Sequence, residues 1–232
     1  LYGVRSGRAT GDFQALRAIL DDYMEHTASL DLGDGFLAPV QTGFQDLDKL
    51  LGNGMQRSDL IVLAARPSLG KSSLAFNIAR HAAGQGSRVG IFSLEMSAEQ
   101  IGTRLLACET HVDSYMLRLG LYKEAVEKQV IDAIGVLSEL PIFIDDSPIQ
   151  GTVEMRGKAR RLKSEHGLDL LIIDYMQLMG EGNRRTDNRT QELGDISRSL
   201  KAMARDLEIP VLALSQLSRA SEHRPNHRPI LS

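Results

Sequence analysis

The run Ala65-Arg66-Pro67-Ser68-Leu69-Gly70-Lys71-Ser72 has the residue types and order of a loop that wraps phosphate. In such a loop, backbone N–H groups and the positive end of the following helix face the anion. Lys71 would neutralise charge on the β- and γ-phosphates, and the Ser72 hydroxyl would ligate Mg²⁺. The pattern asks for glycine at its first position, where this chain has Ala65, which is small but has less backbone freedom. The apolar run Leu60–Ala64 before the loop and the helical pattern Ser72–Ala83 after it supply the strand and helix this chemistry needs. The expectation is a chain that binds a nucleoside triphosphate and hydrolyses it.

A site of this kind needs a second carboxylate for the metal shell, at the end of another strand. Leu170-Leu171-Ile172-Ile173-Asp174 offers one, and Ile142-Phe143-Ile144-Asp145-Asp146 is its rival. Asp174 is favoured because Tyr175 and Gln177-Leu178 carry the chain on into a polar, basic loop. Asp145 and Asp146 are then left to cap the turn before the next helix. Hydrolysis also needs a group that orients or deprotonates water. Glu95, at the end of Gly90-Ile91-Phe92-Ser93-Leu94, is the candidate base; its other reading is a helix-capping or surface carboxylate beside Ser97. Gln216, after Val211-Leu212-Ala213-Leu214-Ser215, could touch the γ-phosphate and report its loss, or be a turn residue.

The elements that must position these groups are legible as alternation. Apolar runs at Leu60–Ala64, Val89–Leu94, Pro141–Ile144, Leu170–Ile173 and Pro210–Leu214 read as strands. Helical patterns at Ser72–Ala83, Ala98–Glu109, Lys123–Leu137, Val153–His166 and Gln191–Leu207 separate them. The fold class this implies is α/β, a mostly parallel sheet with helices on both faces and the functional strand ends on its carboxyl edge. Ahead of it, Thr42 reads as the cap of a short helix Phe44–Leu51. Further upstream, Phe13, Leu16, Ile19, Leu20 and Tyr23 recur every three or four residues over Asp12–Ser29, an amphipathic helix followed by a Gly/Asp-rich linker Leu32–Pro39. The expected domains are residues 1–38 as helix and connector, and 39–232 as the catalytic unit.

Of the 232 residues, 42% are hydrophobic and 25% charged, the composition of a folded chain rather than a disordered one. A net charge of -3 excludes a uniformly basic nucleic-acid binder but not a local basic channel. Arg184, Arg185 and Arg189 follow Asp174, and Arg219, Arg224 and Arg228 follow Gln216, so both groups leave the edge that holds the nucleotide and could grip a phosphate backbone. The basic helix Arg156, Lys158, Arg160, Arg161 and Lys163 reads equally as a solvated face. His223 and His227 lack the further ligands a metal site requires. One cysteine, Cys108, and no membrane-length apolar run point to a reducing, cytoplasmic setting.

The long segments PVQTGFQDLDKLLGNGMQRSDLIVLAARPSLGKSS, IFSLEMSAEQI, LLIIDYMQLM, DNRTQELGDISRSLKAMARDL and PVLALSQLSR resemble replicative hexameric DNA helicases of the DnaB family. The resemblance runs from Pro39 to Arg228 and implies a RecA-like P-loop NTPase core preceded by a linker helix. It further implies ATP and Mg²⁺ as ligands, Lys71 and Ser72 on phosphate and metal, Glu95 as the catalytic glutamate, Asp174 as the second metal carboxylate and Gln216 as γ-phosphate sensor. By the same likeness Ala65 is an ordinary loop residue, the 12–29 helix docks on an adjacent subunit, and the partners are single-stranded DNA, a homo-hexamer, primase and a helicase loader. The family also has an N-terminal primase-recruiting domain and a C-terminal continuation with an arginine finger, so the sequence is expected to be a truncated motor. RecA-, RadA- or KaiC-like ATPases share the loop but not the long segments, and a nucleotide-gated interaction module without turnover is the other reading.

Overall fold

The computed structural model describes residues 13, 15–21, 24, 38–148, 151–176 and 189–217. The chain divides into two compact units, Leu1–Ala38 and Pro39–Ser232. In the first, residues 16–21 and 24 are helical, and Phe13, Leu16, Ile19, Leu20 and Met24 are all exposed. Four of the five residues in the expected stripe are thus described, while Tyr23 lies outside the described residues.

The second unit follows the order α1 (Gln45–Leu50), β1 (Leu60–Ala65), α2 (Lys71–Gly84), β2 (Val89–Ser93), α3 (Ala98–Thr110), α4 (Ser114–Leu119) and α5 (Glu124–Ser138). Then come β3 (Ile142–Asp145), α6 (Thr152–Glu165), β4 (Leu170–Asp174), α7 (Arg189–Leu207) and β5 (Val211–Gln216). The five strands form one sheet in the order β1-β5-β4-β2-β3, and every pairing is parallel. Strands joined through helices must run this way, because a parallel neighbour requires a crossover.

Two-residue periodicity sends each strand into two cores. Leu170 and Ile172 of β4, Leu212 and Leu214 of β5 and Val89 and Ile91 of β2 pack with Phe76 and Ala79 of α2 and Ile101 of α3. Their neighbours Leu171, Ile173, Val211, Ala213 and Phe92 pack with Met155 and Ala159 of α6 and Leu200 and Met203 of α7. Apolar residues at every strand position are therefore required, which is why the central strands read as continuous runs rather than alternating ones. Each such side chain contributes about 1.5–3 kcal/mol by leaving water. A Cβ at Gly90 would stand 3.1 Å from both Leu162 and Leu168, so glycine there lets α6 approach β2 closely.

Three expectations are corrected. Thr42 does not cap α1: the helix has Phe44 at its cap position with no side-chain bond, while Thr42 is buried and its N–H and hydroxyl both donate to Asp48 Oδ1 at 2.8 Å. A helix is present at Ser114–Leu119 where none was expected; Asp113 caps it by accepting from the Tyr115 and Met116 N–H groups, and Gly120 closes it at φ 65°. Asp146 does not cap its own turn: its carboxylate accepts the Ala98 N–H at the start of α3, 2.8 Å away. No helix among the described residues is long and apolar enough to cross a membrane.

Candidate functional site

The register of the sheet brings the candidate groups to one edge. Ala65 is paired with Gln216 and Ser93 with Asp174, and since Ile173 is paired with Ala213, β1 and β5 run two residues past the ends of β4 and β2. Two further bonds hold the strand exits together: Leu217 N–H donates to Ala65 O at 2.9 Å, and Leu94 N–H to Asp174 O at 2.7 Å.

Ala65 sits in extended backbone as the last residue of β1, a conformation any residue adopts, so this loop does not need glycine there. The demand for glycine falls on Gly70, the cap of α2, with φ 85° and ψ 19°. A Cβ at Gly70 would meet nothing within 4 Å, so its constraint is conformational rather than steric. Pro67, Ser68, Leu69 and Gly70 are exposed, and they lead into α2, whose first N–H groups have no intrahelical acceptor.

A cleft of about 270 Å³ is lined by Ala65, Arg66, Pro67, Ser68, Gly70, Lys71, Ser72 and Ser73, and by Glu95, Met96, Arg104 and Gln216. It therefore collects the loop, the candidate base and the candidate sensor in one concavity. Leu69 is exposed beside it, 63% accessible.

Asp174, at the end of β4, is fully buried, and neither carboxylate oxygen has a hydrogen-bond partner among the described residues. Lys71 Nζ approaches Oδ1 at 3.1 Å, near enough for charge attraction but without hydrogen-bond alignment, and lies 4.3 Å from the centroid of the Tyr175 ring. Two buried carboxylate oxygens without hydrogen bonds among the described residues, and a cleft-lining serine in the first turn of α2, are donor types suited to a hard divalent cation and its waters. The chemistry of these donors fits Mg²⁺, with Ser72 and Asp174 as the candidates to hold it.

The rival Asp145 is already satisfied. It accepts from the Ser147 N–H at 3.0 Å and from the Ser147 hydroxyl, and pairs with Lys158 at 3.0 Å. Partial burial disfavours its charge, but the Ser147 and Lys158 hydrogen bonds outweigh this and hold its carboxyl below the ordinary carboxylate range. No group of three or more His, Cys, Asp or Glu among the described residues is gathered to hold a metal by itself.

Glu95 is exposed and projects from a bend made by Ser93, whose buried hydroxyl donates to Met96 O at 2.6 Å and accepts the Met96 N–H at 3.1 Å. The capping duty that competed for Glu95 is performed by others. Ser97 accepts the Gln100 N–H, the Gln100 side chain accepts the Ser97 N–H, and Asp146 takes Ala98 N–H.

Arg104 was not anticipated. It stands on α3 seven residues after the Ser97 cap, two turns along the same face, and reaches the cleft beside Glu95 with no hydrogen bond or ion pair among the described residues. The spacing Ser97 to Arg104 was the signal available in sequence. Of the arginines expected on nucleic acid, Arg184, Arg185, Arg219, Arg224 and Arg228 lie outside the described residues, as do His223 and His227; Arg189 begins α7. In the basic helix, Lys158 pairs with Asp145, Arg160 with Asp206 at 2.7 Å, and Lys163 donates to Leu207 O.

Residues 39–232 match the family model of the DnaB-like helicase C-terminal domain. The chain belongs to this family. The replicative DNA helicase DnaB of Geobacillus stearothermophilus is 44% identical over 230 residues, covering 99% of this chain and 50% of that protein. A replicative DNA helicase DnaB of Nostoc is 50% identical over 199 residues, covering 84% of this chain and 22% of that protein. A solved ATPase domain superposes with a TM-score of 0.83 at 32% identity, over 95% of this chain and 77% of that one. A solved DnaB-like replicative helicase, studied with its interactions with primase, gives 0.79 at 32% identity over 98% and 54%. The chain spans half the length of the Geobacillus relative, and the fold is that of a RecA-like ATPase domain of DnaB-like helicases.

Proposed function

We propose that this chain is the motor of a replicative DNA helicase: it hydrolyses ATP with Mg²⁺ and uses the cycle to translocate on single-stranded DNA and unwind duplex. The observation that carries this reading is the cleft in which the phosphate loop, Glu95 and Gln216 meet, with Lys71 on its wall 3.1 Å from the buried carboxylate of Asp174.

In this reading the loop from Ala65 to Ser72 binds the triphosphate through backbone N–H groups at the α2 terminus. Lys71 leaves Asp174 for the β- and γ-phosphates. Ser72 and Asp174 hold Mg²⁺, which when bound draws charge from the transferring phosphoryl group. Glu95, held out by the Ser93 bend, orients and deprotonates the attacking water. Gln216 contacts the γ-phosphate and moves when it departs, and β5 passes that movement to the segment after Leu217. Arg184, Arg185, Arg189, Arg219 and Arg224 are the residues assigned to the DNA backbone.

The exposed apolar stripe of the first unit supports assembly into a homo-hexamer, with residues 1–38 as linker helix and connector seated on a neighbouring copy. A neighbour's arginine would complete the charge stabilisation, an effect worth about 10³–10⁵ in rate in related phosphoryl transfer. Primase, which figures with the solved relative, and a helicase loader are the proposed protein partners. The free thiol of Cys108 fits a reducing, cytoplasmic setting.

The test is ATP hydrolysis with and without single-stranded DNA, beside fork unwinding. DNA-stimulated turnover with unwinding is expected. Stimulation without unwinding would assign the chain to a strand-pairing ATPase, and binding without turnover to a nucleotide-gated module.

A further inference from the structure

The proposed motor explains why Lys71 is at the mouth of the cleft but not why its ammonium lies over an aromatic ring. The Lys71 head is 4.3 Å from the Tyr175 ring centroid and 3.1 Å from Asp174 Oδ1, and its side chain is only 11% exposed. The two contacts come from consecutive residues at the exit of β4, so one strand end supplies both an anion and a π face. Tyr175 is partly buried against the α2 side of the sheet, which fixes the ring in place.

We propose that Tyr175 is a positioning residue that sets nucleotide affinity by parking the phosphate-loop lysine. The ring and Asp174 hold the ammonium away from the loop, so phosphate captures Lys71 only by drawing it off both. This competition has a sign. The ring stabilises the free state alone, and removing it favours the bound state. Asp174 recovers a cation when Mg²⁺ arrives with the nucleotide, whereas nothing replaces the lysine over the ring. A cation over an aromatic face contributes modestly at exposed sites and more when desolvated.

The inference rests on the nucleotide-binding reading, and its test separates the two. A fluorescent, non-hydrolysable ATP analogue with Mg²⁺ is titrated against the whole chain as wild type, Tyr175→Leu and Tyr175→Phe. Leucine keeps the apolar packing without the ring, and phenylalanine keeps the ring without the hydroxyl. Tyr175→Leu should bind about two- to tenfold more tightly, with Tyr175→Phe like wild type. The second readout is the NMR shift of the Lys71 ε-protons. They should be displaced upfield by the ring in free wild type and Tyr175→Phe, be undisplaced in Tyr175→Leu, and return towards normal when the analogue binds. Unchanged or weaker binding by Tyr175→Leu, or ε-protons still displaced in the complex, overturns the parking role. Failure of wild type to bind the analogue overturns the nucleotide reading instead.

Discussion

Replacing Lys71 with methionine removes the only charged partner of Asp174 among the described residues while keeping most of the side-chain stem. Asp174 is fully buried and its oxygens have no hydrogen bonds among the described residues, so the Lys71 ammonium is what offsets its desolvation there. Breaking a buried pair by removing one member costs about 3–5 kcal/mol. The Lys71 side chain borders the open cleft at 11% exposure, so water reaches the pair, and the expected loss is about 2–3 kcal/mol. For a domain of this size that lowers Tm by roughly 5–10 °C. The assay is thermal and urea unfolding of nucleotide-free protein for wild type, Lys71→Met, Asp174→Asn and the double variant. Asp174→Asn should cost less than Lys71→Met, because the freed ammonium can turn towards the water of the cleft. The double variant should recover most of the Lys71→Met loss, giving a coupling energy of about 2–3 kcal/mol. A Lys71→Met variant no less stable than an ordinary surface change, within about 0.5 kcal/mol, would refute the reasoning. So would a double variant equal to the sum of its singles.

Glu95→Gln keeps the shape and exposure of the side chain and removes its basicity, so turnover should fall by about 10²–10⁴ with analogue affinity unchanged; undiminished hydrolysis would remove Glu95 from the mechanism. Gly70→Ala meets no atom within 4 Å yet imposes a Cβ at φ 85°, so it should destabilise the loop by about 1–2 kcal/mol and weaken analogue binding, measured by unfolding and by titration. Burial of Asp169 disfavours its charge, but the hydrogen bonds and charge of Arg88, which binds it at 2.7 and 3.1 Å, hold its carboxyl below the ordinary range. A depressed carboxylate contributes stability above its unfolded pKa of about 3.9 and loses it as pH falls through the folded value. Arg88→Met should therefore be less stable than wild type near neutrality, and the gap should narrow in urea melts taken below about pH 4. A gap constant with pH would contradict the assignment.

The strands and the loop were legible because burial on both faces forces uninterrupted apolar runs, and because Gly-Lys-Ser after such a run has few other uses. What sequence left open was decided by which partners each side chain meets in the fold. Asp174 and Asp145 both end apolar strands; Lys158, on the following helix, and Ser147 occupy Asp145, while among the described residues no cation but Lys71 approaches Asp174. The helix-capping reading of Glu95 is displaced because Ser97, Gln100 and Asp146 account for the start of α3. The helix Ser114–Leu119 has six residues, too few for a helical period to register. Thr42 carried a capping residue's type, but Asp48, on α1 itself, claims its hydroxyl.

The strand order also bears on how the proposed motor would connect its two tasks. The chain passes from β1 to β2 across the sheet, leaving a gap that β4 and β5 fill, and the cleft forms at that reversal. Gln216 thereby ends the strand that separates the phosphate loop from Asp174. Neighbouring strands lie about 4.8 Å apart, and Gln216 is paired with Ala65 at the start of the phosphate loop, so a shift of a few tenths of an ångström at Gln216 is felt there through the ladder. The chain leaving β4 carries Arg184 and Arg185, and the chain leaving β5 carries Arg219 and Arg224. The two segments assigned to DNA are thus continuations of two hydrogen-bonded strands, Leu171 on Val211 through Ile173 on Ala213. In the proposed motor, loss of the γ-phosphate at Gln216 would act on β5 and, through its pairing with β4, at the base of both segments.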